Sequence, residues 1–297
     1  MIDHKKVLEL VGTENIGGLS LHDKNHKYQV VKSYINYYKP FINSPLKTLN
    51  NDGCLRLGKI IGCDDVDKII DFLGNKRVYN SHVKEYSTKS IDGIESSDFL
   101  SLPSKMKSIE NGGIYCWSMK DLLENEQVLD ICKSQLILNL VSSYLGCTQV
   151  IYSVNCMVNV NDGTINDHGV QKFHRDNDDF KALSCFIYLK DVDGYDGSHV
   201  YKVGSHVSDS CNDEVSLQGK KGHGFVTDSF GLHKGIPVKK GDYRMLLWIR
   251  YGMYDNHIYR EVDRNNLLKI DKDKISSMVD LEDPLYKYVF GLVCNYE

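Results

Sequence analysis

The 297-residue sequence predicts a mainly β protein with flanking helices, in which a sandwich or barrel is decorated by N-terminal helices. Helical patterns dominate the first half of the chain, and short strand patterns separated by glycine-rich turns follow Gly146. A chain of this length can bury a full core, so we expect one domain. We expect residues 1–149 to be mostly helical or irregular, 150–252 to form the core, and 253–297 to be a C-terminal extension.

The first half contains three predicted helical regions and one strand. Residues 34–41 predict a short helix, 51–53 a turn, and 54–58 a strand. Asp64 is placed to cap a helix that runs through Leu73, because Val66, Ile69, Ile70 and Leu73 share one face. Residues 121–145 predict one or two amphipathic helices.

Residues 76–113 are polar, rich in Ser, Lys and Asp, and without an apolar period. A segment of this length without a pattern is more often a functional loop than a linker. We therefore predict a lid that closes over a site.

The second half is a series of short apolar strands. Glycine, asparagine and aspartate separate them, as expected of turns. The predicted strands are 150–160, 182–192, 199–203, 222–227 and 243–251, with a helix at 272–279 in the tail.

Composition excludes several classes of function. The chain has 36 Lys and Arg against 40 Asp and Glu, a net charge of −4, which argues against nucleic acid as a partner. No apolar run approaches the ~20 residues that cross a bilayer, so we expect no membrane association and no signal peptide. Nine cysteines without a Cys-x-x-Cys pair suit a reducing compartment, which predicts a cytoplasmic protein.

The candidate metal ligands lie in two motifs of the second half of the chain. Phe173-His174-Arg175-Asp176 puts His174 and Asp176 on one face of an extended segment, with Arg175 pointing away. His233, in a distant motif, can complete a set of two histidines and one carboxylate. That set binds Fe(II) in non-heme oxygenases and leaves coordination positions open. We interpret these three residues as metal ligands.

Arg244 opens a later apolar strand, where a guanidinium is costly to bury without an anion. We interpret it as the anchor of an acidic co-substrate, with Arg250, at the same strand parity, as the rival candidate. His199 and His206 are expected to shape a turn. Asp228 is expected either to support the metal site or to cap a turn.

These motifs resemble the phytanoyl-CoA dioxygenase family of Fe(II)/2-oxoglutarate oxygenases. The resemblance covers roughly residues 150–252: the His174 motif, residues 186–192, two Gly-Ser-His turns, residues 228–235, and Gly241-Asp242-Tyr243-Arg244. It implies a double-stranded β-helix, also called a jelly roll and cupin-like, with this core holding the metal.

The resemblance also implies the roles of individual residues. His174, Asp176 and His233 would bind Fe(II), and Arg244 would pair with the distal carboxylate of 2-oxoglutarate. Asn155 stands where family members often have a co-substrate-binding Gln, and Asn161 replaces a Lys. The implied reaction uses O2, oxidises a small organic substrate, and releases succinate and CO2. The presence of Asp176 favours hydroxylation over halogenation. Two alternatives stay open: a metal-binding module without turnover, and a zinc hydrolase that uses the same triad.

Overall fold

The computed structural model describes residues 44–80, 94–95, 113–161, 169–176, 179–253, 270–271, 275–290 and 294–295. Six helices lie within these ranges: α1 (Ser44–Asp52), α2 (Cys63–Leu73), α3 (Met119–Leu123), α4 (Glu126–Cys132), α5 (Gln135–Leu145) and α6 (Pro284–Val289). Five of the six precede the main strands, as the sequence predicts.

Thirteen strands lie within the described ranges. In the first half they are β1 (Cys54–Lys59), β2 (Arg77–Asn80), β3 (Ile94–Glu95) and β4 (Gly113–Trp117). In the second half they are β5 (Val150–Val160), β6 (Leu183–Tyr188), β7 (His199–Lys202), β8 (Glu214–Leu217), β9 (His223–Asp228), β10 (His233–Gly235), β11 (Tyr243–Gly252), β12 (Ile270–Asp271) and β13 (Cys294–Asn295).

Two antiparallel sheets form the body of the protein. The larger sheet has the order β1-β9-β6-β11-β5-β4-β2-β3, and the smaller has the order β10-β7-β8. Strands β12 and β13 form a separate parallel pair. Strands β9 and β11 lie in the larger sheet, and β10, which lies between them in sequence, belongs to the smaller sheet.

Each face of the larger sheet is covered, so two hydrophobic clusters form. On one face, Val154, Cys156 and Val158 of β5 join the helices in the main core. On the other face, aromatic residues of β6 and β9 pack with residues of the smaller sheet. The alternation of side chains along a strand explains this division, since neighbouring residues point to opposite faces.

The helix boundaries differ from the prediction in two places. Helix α2 begins at Cys63 with Gly62 as its N-cap residue, so Asp64 lies inside the first turn and is not the cap. Its carboxylate suits the positive end of the helix dipole there. Residues 121–145 belong to three helices and not one or two, because Asn125 accepts a hydrogen bond from the amide of Val128 and begins α4.

Two short strands of the smaller sheet, β8 and β10, were not predicted. At four and three residues they are too short to show a clear alternation. The expected irregularity of residues 76–113 is wrong at 77–80, 94–95 and 113, which belong to β2, β3 and β4 of the larger sheet. Residues 81–93 and 96–112 lie outside the described residues, as do the helix predicted at 34–41 and residues 272–274 of the tail helix.

Gly222 supports the junction between β1 and β9. Its carbonyl accepts the amide of Ile60 at 2.8 Å, and its own amide donates to Tyr188 at 2.8 Å. The residue has a φ of 82°, and an added Cβ would lie 2.4 Å from the carbonyl oxygen of Ile61. A side chain at this position would therefore meet both backbone strain and a clash with backbone.

We predict that Gly222→Ala lowers the free energy of unfolding by about 3 kcal/mol or more, measured by urea denaturation. Gly58→Ala is the matched control, because Gly58 has a similar φ of 72° with no atom within 4 Å of the added Cβ. We expect that control to lose about 1–2 kcal/mol, from backbone strain alone. Equal losses in both variants would contradict the predicted clash.

Candidate metal centre

Backbone pairing brings the predicted triad together from two distant segments. His174 and His233 form an isolated antiparallel bridge, in which each amide donates to the other's carbonyl at 3.0 Å. The amide of Asp176 donates to the carbonyl of Ser229 at 2.9 Å. These bonds hold the segment of His174 and Asp176 against the entrance to β10, so the two segments meet at one end of the space between the sheets.

The three side chains converge on one point. Nε2 of His174 lies 3.7 Å from Oδ1 of Asp176, and Nε2 of His233 lies 3.7 Å from Oδ2 of the same carboxylate. The three candidate ligand atoms all lie within 4.8 Å of one another. Within the described residues this is the one group of at least three His, Cys, Asp or Glu side chains with such spacing. Two ligand atoms about 2 Å from one ion lie at most about 4 Å apart, so both 3.7 Å separations fit a shared metal ion.

The other nitrogen of each imidazole is held by the backbone. Nδ1 of His174 lies 2.8 Å from the carbonyl of Lys172, and Nδ1 of His233 lies 2.9 Å from the carbonyl of Gly231. A carbonyl can only accept, so each Nδ1 carries the proton and donates it. Each Nε2 then keeps a lone pair directed at the shared point, as a metal ligand requires.

Burial is unequal across the triad. His233 is 6% exposed, and burial lowers its pKa although the carboxylate of Asp176 opposes the shift. The ring is therefore neutral near pH 7, the state that binds metal. The side chains of His174 and Asp176 are 28% and 19% exposed. The triad thus has a closed side at His233 and an open side at His174 and Asp176.

Arg175 points away from the triad, as predicted. Its guanidinium donates to the carbonyls of Ser205 and Phe230 and pairs with Asp209 at 2.6 Å. It therefore fastens the segment that carries His174 and Asp176 to two neighbouring loops.

Arg244 is buried between the sheets, 6% exposed. It donates through Nη1 to the carbonyl of Gly197 at 2.8 Å, and within the described residues it has no acidic partner. Burial lowers its pKa, as expected for a desolvated cation. A Cβ built on Gly235 would lie 3.1 Å from Nη2 of Arg244, so Gly235 leaves room for the guanidinium. The arrangement fits an anion supplied by a ligand.

The other sequence candidates separate into different environments. The guanidinium carbon of Arg250 lies 3.5 Å from the centre of the Trp248 ring, a cation–π contact. Asn155 donates to the hydroxyl of Ser153 at 2.6 Å, and Asn161 donates to the carbonyl of Val238 at 2.6 Å. Asp228 accepts the amide of Phe230 at 2.8 Å, which fits its interpretation as a turn cap.

His199 lies beside the triad, a position that sequence reasoning did not assign to it. Its ring stacks on that of His233, with centroids 5.2 Å apart and an angle of 16°. Phe186 and Phe225 pack against it at 5.0 Å and 5.3 Å. His206, in the second Gly-Ser-His turn, instead lies 3.0 Å from the carbonyl of Asn50. The sequence offered one signal for this position. His199 and Tyr201 are two residues apart on β7, so their side chains lie on the same, inward face.

Solved structures of non-heme enzymes have a similar fold. The α-ketoglutarate-dependent epimerase SnoN of nogalamycin biosynthesis has a TM-score of 0.50 and 12% identity, over 70% of this chain and 81% of its own. HygX from Streptomyces hygroscopicus, solved with nickel and 2-oxoglutarate bound, has a TM-score of 0.50 and 12% identity, over 71% of this chain and 87% of its own. No protein-family model and no curated protein matches the sequence. The likeness confirms the predicted mainly β, jelly-roll class of fold.

None of the helices in the described part of the chain is both long and apolar enough to cross a membrane.

Proposed function

We propose that this protein is an Fe(II)- and 2-oxoglutarate-dependent oxygenase similar to the phytanoyl-CoA dioxygenase family. It would hydroxylate a small organic substrate and release succinate and CO2. The observation that carries the proposal is the convergence of His174, Asp176 and His233 on one point, in the same inter-sheet space as a buried Arg244. Fe(II) oxygenases use this ligand set.

The three side chains can bind the metal without any change in the positions of the imidazole protons. Both Nε2 atoms keep their lone pairs because both Nδ1 atoms donate to backbone carbonyls. Bound Fe(II), with 2-oxoglutarate and O2, supplies the oxidative decarboxylation that drives hydroxylation. The protein would hold the ion with three side chains and leave three positions for the co-substrate and O2.

The remaining residues of the site would bind 2-oxoglutarate and exclude water. Arg244 would receive the distal carboxylate of 2-oxoglutarate in a dry pocket. On the inner face of the larger sheet, the ring of Phe186 stacks on those of Phe225 and Trp248 at 5.0 Å and 5.2 Å. These rings would keep water from the co-substrate pocket. The substrate would approach from the open side of the triad, over His174 and Asp176. A cytoplasmic location fits the free cysteines among the described residues.

The two alternatives leave Arg244 without a role. A zinc hydrolase or a metal-binding module needs the triad, but neither requires a desolvated guanidinium in the same space. Such a cation is costly unless a ligand supplies its anion. The oxygenase proposal accounts for both features.

Anaerobic titration tests the proposal directly. Purified protein with Fe(II) should develop a visible charge-transfer absorption when 2-oxoglutarate is added, and a substrate screen in air should report succinate. The same protein loaded with Zn(II) is the control, and it should give neither signal. If Fe(II) and 2-oxoglutarate give no absorption and no succinate, the proposed function is wrong.

We predict that Asp176→Ala abolishes hydroxylation but keeps residual Fe(II) binding through the two histidines. The carboxylate supplies the negative charge of the ligand set, and both of its oxygens face the imidazoles. Asp176→Asn keeps the shape of the side chain without its charge, so comparison of the two variants separates these contributions. Succinate assays and Fe(II) titration measure the outcome, and undiminished hydroxylation in Asp176→Ala would remove the carboxylate from the mechanism.

A further inference from the structure

Three polar atoms near Arg244 are buried without a hydrogen-bond partner in the described structure. They are Nε2 of His199, Oδ1 of Asn159 and Nε of Arg244 itself. His199 and Arg244 are each only 6% exposed. A buried polar group left unpaired is destabilising, so three in one region indicate a place where a ligand supplies the partners.

Strand register brings these side chains to one compartment. Asn159 of β5 is the direct partner of Arg244 on β11, so their side chains leave the sheet on the same face. Across the inter-sheet space, His199 of β7 is the partner of Gly235 on β10. The guanidinium of Arg244 lies against Gly235. The side chains of Asn159 on β5 and His199 on β7 therefore lie beside the guanidinium of Arg244.

The compartment adjoins the candidate metal centre through His199, whose ring stacks on His233. An imidazole carries at least one N–H donor in either protonation state, so His199 can donate to a ligand. A half-turn of the Asn159 amide exchanges its oxygen and nitrogen, so it too can present a donor.

We propose that His199 and Asn159 complete, with Arg244, the end of the co-substrate pocket that receives the carboxylate remote from the metal. This inference rests on the proposed function and adds two positioning residues to it. Asn155 is less suited to the same task, because its amide already donates to Ser153. A carboxylate has two oxygens, which can accept hydrogen bonds from all three side chains.

The test is 2-oxoglutarate affinity in the anaerobic Fe(II) protein, followed by charge-transfer absorption. A hydrogen bond to a charged group contributes about 1.5–3 kcal/mol, so His199→Leu and Asn159→Leu should each raise the Kd for 2-oxoglutarate roughly 10- to 150-fold. His199→Gln, which restores a donor, should recover part of the affinity. His206→Leu is the matched control: His206 is also 6% exposed but lies near Asn50, so its Kd should match the wild type.

A second probe separates contact with the distal carboxylate from general damage. Pyruvate has the metal-chelating end of 2-oxoglutarate without the second carboxylate. Its affinity for the Fe(II) protein should therefore be the same in wild type, His199→Leu and Asn159→Leu. The ligand-free Leu variants should also unfold at no lower urea concentration than wild type, because each replaces an unpaired polar group with an apolar one.

The outcomes distinguish this inference from the proposed function. If the wild type gives no absorption with 2-oxoglutarate, both are wrong. If the wild type binds but His199→Leu and Asn159→Leu bind equally well, only the inference about these two residues is wrong. An equal loss of pyruvate affinity in the variants would also overturn it, because the residues would then act at the metal end.

Discussion

His233→Ala is expected to weaken Fe(II) binding by more than about 100-fold and to abolish turnover. Removing a group that only orients a metal ligand costs about 10- to 100-fold in affinity, so loss of a direct ligand must cost more. The remaining pair, His174 and Asp176, lies on the exposed side of the site, where water competes for the ion. His174→Ala should have a similar effect. Anaerobic Fe(II) titration and succinate release measure both variants.

The fold should survive these substitutions, because the larger sheet and its core do not depend on either imidazole. His206→Ala is the matched control, since it removes a histidine as buried as His233 whose ring contacts the carbonyl of Asn50 and is not among the candidate ligands. It should bind Fe(II) as the wild type does, and the circular dichroism spectra of all the variants should agree. Full activity in either triad variant would show that the ligand assignment is wrong.

Arg244→Ala is expected to cost about 2–4 kcal/mol of 2-oxoglutarate affinity, or roughly 30- to 700-fold in Kd. A guanidinium and a carboxylate form a bidentate, charge-assisted pair, and the dry surroundings of Arg244 strengthen it. Fe(II) affinity without co-substrate should change little, because Arg244 is not among the candidate ligands. Charge-transfer titration of the anaerobic Fe(II) protein measures the Kd.

Two companion variants sharpen the test. Arg244→Lys keeps the charge but loses the planar fork, so its affinity should lie between those of the wild type and Arg244→Ala. Arg250→Ala removes the rival arginine, which stacks on Trp248, and should affect 2-oxoglutarate binding much less. An unchanged Kd in Arg244→Ala with a large shift in Arg250→Ala would move the anchor to Arg250.

Sequence reasoning identified the metal-centre candidates because their spacing reflects local geometry. His174 and Asp176 share a face of an extended segment by the two-residue period alone, and Arg175 between them points away. Strand β5 was predicted with its observed limits because eleven consecutive residues show the required composition. Both features depend on neighbouring residues, which the sequence displays directly.

Sequence reasoning failed where the element was short or its partner distant. Strands β8 and β10 have too few residues to show an alternating pattern. The residues around His233 form a strand, β10, because they pair with β7. The N-terminus of α2 was misplaced because Gly62, not an acidic side chain, occupies the capping position. These decisions depend on tertiary contacts that local propensity does not encode.

The sequence by itself determined the class of fold, the three candidate ligands and the arginine that accompanies them, because periodicity and residue chemistry are local properties. Only the tertiary structure decided that Asn159 and His199 lie beside Arg244, and that Asn155 donates a hydrogen bond to Ser153. In the sequence, His199 lies 40 residues after Asn159 and 45 residues before Arg244, and such separations say nothing about distance in the fold. The register between β5 and β11, and between β7 and β10, converts those separations into contacts.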